Sequence, residues 1–159
     1  MNAKKIIQEL KLIPHPEGGY YRETYRSDTL MQTNEGEERN VSTAIYFLLE
    51  NDNRSRFHKI KSDEIWFFHQ GKTVEILIAH NMELERILLG NDFSKGEVPQ
   101  AMVPAGSWFA SHLKEEEGVA LVSCTVAPGF DFTDFEMATA EQIIELLPEE
   151  TALINQFTV

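Results

Sequence analysis

The chain has 159 residues with 14 basic and 26 acidic side chains, which gives a formal net charge of −12. This length suggests a single domain covering residues 1–159, long enough to fold around its own core without disulfides. The hydrophobic fraction of 42% excludes a disordered chain. The excess of acidic side chains argues against binding to nucleic acid or to an anionic membrane surface, because both need clustered Lys and Arg.

The sequence shows no segment that predicts export or insertion into a membrane. The charged stretch after Met1 lacks the apolar region of a signal peptide, and the longest apolar runs are too short to cross a bilayer. The single cysteine, Cys124, cannot form an internal disulfide, and its strand-like flanks predict a buried, unreactive thiol. We therefore expect a soluble cytoplasmic protein.

Helical patterns occur at the two ends of the chain. Asn2 is a suitable N-cap, and apolar residues follow it at helical spacing until two prolines end the helix. Near the other end, Thr139 and Gln142 have capping-box spacing ahead of an apolar face. Pro148 interrupts that helix, and residues 149–157 are expected to add a short helical turn. The apolar positions of the first helix are Ile6, Ile7, Leu10 and Ile13.

Between the helices, ten short segments have the composition and alternation of β-strands. Turn-forming residues separate most of them and no helical pattern intervenes, which favours an antiparallel β-sandwich or barrel. Residues 31–40 are expected to form a polar loop between strands. The predicted strands are 20–25, 41–49, 56–61, 64–69, 73–80, 83–88, 101–103, 107–112, 119–126 and 132–138.

One stretch places a histidine and a glutamate in adjacent predicted strands. His58 lies in one strand, Glu64 begins the next, and Gly71 marks the turn that follows. A strand–turn–strand can bring the imidazole and the carboxylate into one cavity although they are six positions apart. Each group is costly to bury alone, so their position in an aromatic-rich hairpin needs an explanation, and a shared functional cavity is one.

These residues resemble the two motifs of the cupin superfamily. The first motif reads G-x5-H-x-H-x3-E-x6-G, and His58, Glu64 and Gly71 match it in order and spacing. The second reads G-x5-P-x-G-x2-H-x3-N, and Pro104 and Gly106 match it. The resemblance implies an all-β fold, the double-stranded β-helix or cupin jelly-roll barrel, here with an N-terminal and a C-terminal helix.

The sequence also departs from both motifs. In metal-binding cupins the motifs imply three histidines and one glutamate as ligands, and this chain keeps only His58 and Glu64. A divalent metal normally takes three or four protein ligands, so we expect no cofactor and a hydrogen-bonded His–Glu pair. A metal held by this pair and further ligands, in an oxygenase or isomerase, is an alternative. The departures are Asp52, Ile60, Val98, Phe109 and Leu113.

A closer resemblance covers nearly the whole chain and is to the small single-domain cupins known as a domain of unknown function, the fifth cupin family. It implies a jelly-roll barrel that is usually a homodimer, with similarity to sugar-nucleotide epimerases, isomerases and seed-storage proteins. The edge strand at 20–25 offers a place for a second copy to pair. The matching segments are 15–26, 42–49, 62–68, 103–109 and 124–132.

The similarity to epimerases assigns acid–base roles to the motif residues. His58 matches the base, because a histidine near its free pKa beside a carboxylate exchanges protons near neutrality. Glu64 is expected to orient it. A tyrosine across the pocket acts as the acid in such epimerases, and the residues alone leave several candidates. These are Tyr20, Tyr21, Tyr25 and Tyr46.

Further residues are candidates for ligand binding. Gly18-Gly19 in the segment that starts at Glu17 would let the backbone approach a ligand, with Arg22 or Arg26 binding an anionic group, although an ordinary edge strand explains the same pattern. Strand alternation puts Trp66 and Phe68 on the same face as Glu64. It also puts Ser107 on the same face as Phe109. The candidates for the pocket are Glu17, Arg22, Arg26, Tyr46, Trp66, Phe68, Ser107 and Phe109.

The sequence therefore predicts a cupin that binds a small polar ligand, carbohydrate-like or anionic, in its barrel cavity. Metal-independent isomerisation or epimerisation by histidine acid–base catalysis is the favoured activity. A non-catalytic module that binds or senses a small molecule is the alternative from another class.

Overall fold

The computed structural model describes residues 1–159 and consists of strands with three helices at the chain ends. The helices are α1 (Ala3–Leu10), α2 (Ala140–Leu146) and α3 (Thr151–Ile154). The strands are β1 (Ile13–Pro14), β2 (Tyr20–Arg26), β3 (Leu30–Gln32), β4 (Glu38–Asn40), β5 (Thr43–Glu50), β6 (Arg54–Lys59), β7 (Asp63–Gly71), β8 (Val74–His80), β9 (Glu83–Leu89), β10 (Gln100–Val103), β11 (Trp108–Leu113), β12 (Val119–Ala127) and β13 (Glu136–Met137).

Two antiparallel sheets carry the core. One has the strand order β1-β2-β5-β12-β7-β10, the other β13-β6-β11-β8-β9, and β3 and β4 form a separate hairpin. The inner faces meet in a cluster that includes Phe47, Trp66, Ile76, Phe109 and Leu113. The alternation of apolar side chains along these strands produces this packing, because one face of each strand must be removed from water. The predicted all-β fold is confirmed.

The helices cover the outer faces of the sheets. Asn2 caps α1 by accepting a hydrogen bond from the Lys5 amide, and the helix packs beside Leu48 on the six-stranded sheet. Thr139 and Gln142 form the predicted capping box of α2, which packs with α3 on the five-stranded sheet. No helix is long and apolar enough to cross a membrane.

Three predicted segments differ from the structure. Residues 132–138 form a 3₁₀ turn (Phe132–Asp134) and the two-residue strand β13, because the aspartate at position 131 caps the turn. The predicted loop 31–40 contains most of the β3–β4 hairpin, which turns at Gly36. Ile13, expected in the first helix, lies in β1, since Lys11 adopts a left-handed conformation that ends α1 early.

A bulge in β2 decides which of its side chains enter the barrel. Tyr21 pairs with Phe47 and therefore points inward, and Glu23 lies on the same face two residues later. The register with β5 shifts between Glu23 and Tyr25, so Arg26 returns to the inner side opposite Thr43. Arg22 stays on the outer face.

The predicted homodimer is not tested by the structure of a single chain, and it stays a prediction.

The turn between β1 and β2 is docked against β6. The Glu17 carbonyl accepts a hydrogen bond from the Arg56 amide at 2.8 Å. Gly18 has φ +112°, and a Cβ there would overlap the Arg54 carbonyl oxygen. A Cβ on Gly19 would lie 2.6 Å from the Phe47 ring. The two glycines thus allow close approach to neighbouring strands, whereas the sequence suggested close approach to a ligand.

We expect Gly18→Ala to destabilise the protein much more than Gly36→Ala. Both residues have positive φ, but a Cβ on Gly36 meets nothing within 4 Å. Gly36→Ala should therefore cost only the backbone strain, about 1 kcal/mol, while Gly18→Ala adds the overlap with β6. Urea unfolding followed by tryptophan fluorescence measures both. Equal losses would contradict the docking of this turn on β6.

Candidate functional site

A cavity of about 380 Å³ opens between the two sheets at one end of the barrel. Its residues come from the β1–β2 and β6–β7 turns, from β2, β5, β6, β7 and β12, and from the segment that follows β12. This size is within the range of small-molecule sites. The lining residues are His15, Glu17, Tyr21, Glu23, Arg26, Thr43, Ile45, His58, Ile60, Glu64, Cys124, Val126, Phe130, Asp131, Phe132 and Phe135.

A buried ion pair forms the floor of the cavity. His58 Nε2 lies 2.7 Å from Glu17 Oε2, and His58 Nδ1 lies 2.6 Å from the Arg56 carbonyl oxygen. Burial alone would lower the pKa of His58, but the charge and hydrogen bond of Glu17 outweigh it and raise the pKa above 6.5. Burial would raise the pKa of Glu17, and His58 reverses this. Each group therefore favours the charged form of the other.

Glu64 is a second buried carboxyl group in the cavity, and it has no cationic partner. Burial raises its pKa to about 7, and the negative charge of Glu17 adds to the rise. His58, the Cys124 thiol and the Trp66 indole oppose it only in part. Trp66 Nε1 has no hydrogen-bond partner of good geometry. Glu64 thus exchanges a proton near neutral pH, a property that marks candidate functional sites.

The sequence-based pairing of His58 with Glu64 needs correction. His58 bonds Glu17, which is 41 positions away in the chain and was expected only to contact a ligand. The docking of the β1–β2 turn on β6 brings this carboxylate to the imidazole. Glu64 stays close enough for its charge to influence the pKa of His58, but it is not the hydrogen-bond partner.

Arg26 lies at the rim of the cavity, and most of its hydrogen-bond donors are engaged within the protein. Its guanidinium donates to both carboxylate oxygens of Glu23, to Asn40 Oδ1 and to the Phe130 carbonyl oxygen. Few donors remain for a ligand, so the anion-binding role predicted for Arg26 has little geometric support. The lining carries four carboxyl groups, those of Glu17, Glu23, Glu64 and Asp131, against Arg26 and His58. The local charge is therefore not positive.

Four predicted pocket residues lie outside the cavity lining. Arg22 and Tyr46 lie on the outer face of the six-stranded sheet, where the guanidinium carbon is 5.8 Å from the Tyr46 ring centre. Trp66 and Phe68 share the inward face with Glu64, but Trp66 packs in the barrel core and Phe68 packs against it. They lie further along β7 than Glu64 and are not among the residues that line the cavity.

The two predicted residues near the start of β11 also lie outside the lining. Ser107 is half-buried just before the strand. Phe109 is buried behind His58, with the two ring centres 4.1 Å apart, and it supports the imidazole from the core side. Of the predicted set, His58, Glu64, Glu17 and Arg26 meet in the cavity.

The residues present do not fit the metal site of metal-binding cupins. Ile60 and Phe109 occupy two of the four ligand positions, and both are buried apolar side chains. The nitrogen atoms of His58 already face Glu17 and a backbone carbonyl. No group of three or more His, Cys, Asp or Glu side chains has the arrangement of a metal site.

Sequence reasoning missed much of the aromatic part of the cavity lining. Phe130, Phe132 and Phe135 pack edge to face, with ring centres 4.8 to 6.3 Å apart. Phe135 also lies 5.9 Å from His15 and 5.4 Å from His58. The pattern of residues 132–138 predicts a strand, which gives no reason to assign its aromatic side chains to the cavity. Three phenylalanines within six residues were the sequence feature that could have indicated this part of the cavity.

The fold and the cavity define the class of the protein. Two antiparallel sheets of this order, with a histidine and a glutamate facing the space between them, are those of a cupin, and the predicted double-stranded β-helix is confirmed. The family model described as "Cupin superfamily (DUF985)" matches residues 4–138. The chain therefore belongs to this family, and the resemblance identified in the sequence is confirmed.

Relatives from distant organisms share nearly the whole chain. An uncharacterized protein, YML079W, of Saccharomyces cerevisiae is 34% identical, over 95% of this chain and 83% of its own. The solved structure of a hypothetical protein from Leishmania major is 36% identical, with a TM-score of 0.92 over 99% of both chains. Protein SO0799 from Shewanella oneidensis is 38% identical, with a TM-score of 0.91 over 100% of this chain and 98% of that one.

We expect Glu64→Gln to stabilise the protein above pH 7. The pKa of Glu64 is about 7 in the folded state, against 4.5 for an unperturbed glutamate. The folded state therefore binds more protons, and its free energy of unfolding falls as pH rises between these two values. The loss is on the order of 3 kcal/mol. The variant lacks this loss, and thermal unfolding at pH 5 and pH 8 measures the difference.

Glu97→Gln is the matched control. Glu97 is also a buried carboxylate, but a hydrogen bond from Thr73 and another from the Asp92 amide lower its pKa. Its stabilisation is present above the pKa of an unperturbed glutamate and is lost as pH falls, so Glu97→Gln should destabilise the protein at pH 8. If the Glu64→Gln variant is less stable than the parent at pH 8, the charged Glu64 carboxylate is stabilised in the folded protein, and the expectation is wrong.

Proposed function

We propose that the chain binds a small polar molecule in this cavity and catalyses metal-independent proton transfer on it, as an isomerase or epimerase. The observation that carries the proposal is Glu64, a buried carboxyl group with a pKa of about 7 that faces an open cavity. A general base works best when its pKa is near the working pH. Burial and a neighbouring charge produce that value here without a metal.

The roles within the site differ from those predicted from sequence. Glu64 accepts the proton, since it is the carboxylate without a partner. His58 is a positioning residue, because its charge holds Glu17 ionised, and the charge of Glu17 raises the pKa of Glu64. This is the general arrangement in which neighbouring groups have their pKa values pushed apart.

The cavity lining favours Tyr21 as the acid among the four candidate tyrosines. Tyr21 lines the cavity. Tyr20 and Tyr46 pack on the outer face beside α1, and Tyr25 is exposed. The inward position of Tyr21 follows from its register opposite Phe47. We assign the second proton transfer to its hydroxyl group.

The charges of the lining favour a neutral polar ligand over an anionic one. The two cationic side chains are paired, His58 with Glu17 and Arg26 with Glu23. Three phenylalanine rings of the lining offer apolar surface, and its carboxylate oxygens accept hydrogen bonds from hydroxyl groups. A carbohydrate-like molecule presents both kinds of surface, as many ligands of mixed pockets do.

One observation favours a binding module without catalysis. Both ring nitrogens of His58 are occupied, so the residue that the cupin motif contributes as a base cannot reach a ligand directly. In this second candidate function the cavity holds the same class of ligand, and Glu64 only hydrogen-bonds to it. Isotope exchange separates the two candidates.

Solvent-deuterium exchange into a panel of free and nucleotide-linked sugars tests the proposal. We expect deuterium at a carbon next to a carbonyl group in at least one compound, and Glu64→Gln should slow this exchange about a hundredfold or more. Tyr21→Phe should also slow it, while the matched variant Tyr46→Phe, on the outer face, should not. Compounds that raise the melting temperature by mass action but never exchange would identify a binding module.

A further inference from the structure

His15 is a buried cavity residue that the proposed function leaves without a role. It precedes Pro16 in the β1–β2 turn, and its side chain is 7% exposed. Its ring lies against Tyr21, with ring centres 4.5 Å apart, and against Phe47, Phe132 and Phe135 at 5.9 to 6.3 Å. Rings on several sides fix the orientation of the imidazole.

One hydrogen bond fixes the position of its proton. The Glu17 backbone amide donates to His15 Nδ1 at 3.2 Å. A backbone amide can only donate, so Nδ1 must present its lone pair, and a neutral imidazole then carries its proton on Nε2. Nε2 makes no hydrogen bond in the structure, so an N–H donor is left free in the ring that lines the cavity.

The surroundings keep this imidazole neutral. The titratable groups that face it are Glu17, His58 and Tyr21. Burial lowers its pKa, the charge of Glu17 opposes this, and the charge of His58 lowers it further. Glu17 Oε2 lies 3.7 Å from Nδ1 but directs its hydrogen bond to His58 at 2.7 Å.

We propose that His15 is a catalytic residue that donates its Nε2–H to a carbonyl oxygen, and that the substrate is a small aldehyde or ketone with a hydroxyl group on the neighbouring carbon. A neutral donor suits this task, because it stabilises the developing negative charge without surrendering its proton to the ligand. This inference rests on the proposed function, since it places the electrophile in the same cavity as the base Glu64.

The step balances within the site. Glu64 takes the proton from the carbon next to the carbonyl group, and the electron pair of that C–H bond forms a carbon–carbon double bond. The carbonyl electron pair moves onto oxygen, which His15 hydrogen-bonds, and an enediolate results. Return of the proton to the same carbon regenerates the original carbonyl group. Its return to the other carbon, after the proton of the neighbouring hydroxyl group has moved to the enediolate oxygen, gives the isomeric carbonyl compound, so no oxidant or reductant is consumed.

The first test is the tautomer of His15 in the free protein. Long-range ¹H–¹⁵N spectra of labelled protein, with His15→Gln used for assignment among the five histidines, should show a proton on Nε2 and titration below pH 6.5. A proton on Nδ1, or titration above pH 6.5, overturns the proposal. This measurement needs no ligand.

The second test compares ligand pairs that differ only in the carbonyl group, dihydroxyacetone with glycerol and xylulose with xylitol. Ligand-observed NMR should show tighter binding of the carbonyl member, and His15→Phe, which keeps a ring but no donor, should remove about a tenfold preference. His15→Gln, which keeps an N–H donor, should retain part of it. An unchanged preference in His15→Phe overturns the proposal.

The outcomes separate this inference from the proposed function. Carbonyl preference that depends on His15, without deuterium exchange in any compound, supports the donor and contradicts the catalytic function. Exchange that depends on Glu64 but not on His15 supports the function and contradicts this inference. Tyr46→Phe should leave both measurements unchanged.

Discussion

The ion pair between His58 and Glu17 is the interaction on which the site depends. It joins a strand of the five-stranded sheet to the turn that precedes β2 of the six-stranded sheet, and it places a fixed negative charge beside Glu64. Removing one partner of a buried pair leaves an uncompensated charge, which costs several kcal/mol. The pair therefore links the stability of the barrel end to the protonation state of the cavity.

The strands were predictable because their cause is local. Alternation along β5, β8 and β12 follows from which side chains must leave water, and the caps of α1 and α2 follow from Asn2 and Thr139. The position of His58 and Glu64 in one cavity also followed from the cupin motif. To predict these features it is enough to see apolar residues recurring every two positions in a strand or about every 3.6 positions in a helix, or to match the cupin motif.

The contacts that define the chemistry were not predictable in this way. The partner of His58 is 41 residues away, and only the docked glycine turn brings it there. Arg26 faces the cavity because of a bulge, which alternation alone cannot anticipate. Trp66 has the correct face but the wrong depth, since parity gives no distance along a strand. Tertiary packing decided each of these cases.

The hydrogen bonds of Arg26 have a consequence for the proposed binding of a ligand. One guanidinium holds the end of β2, the end of β4 and the backbone at Phe130, and so it fixes the rim beside the phenylalanine wall. A rim that is already ordered need not lose conformational entropy when a ligand enters. The cavity is thus preorganised for the ligand proposed above, and no loop would have to move before that ligand is tested for shape.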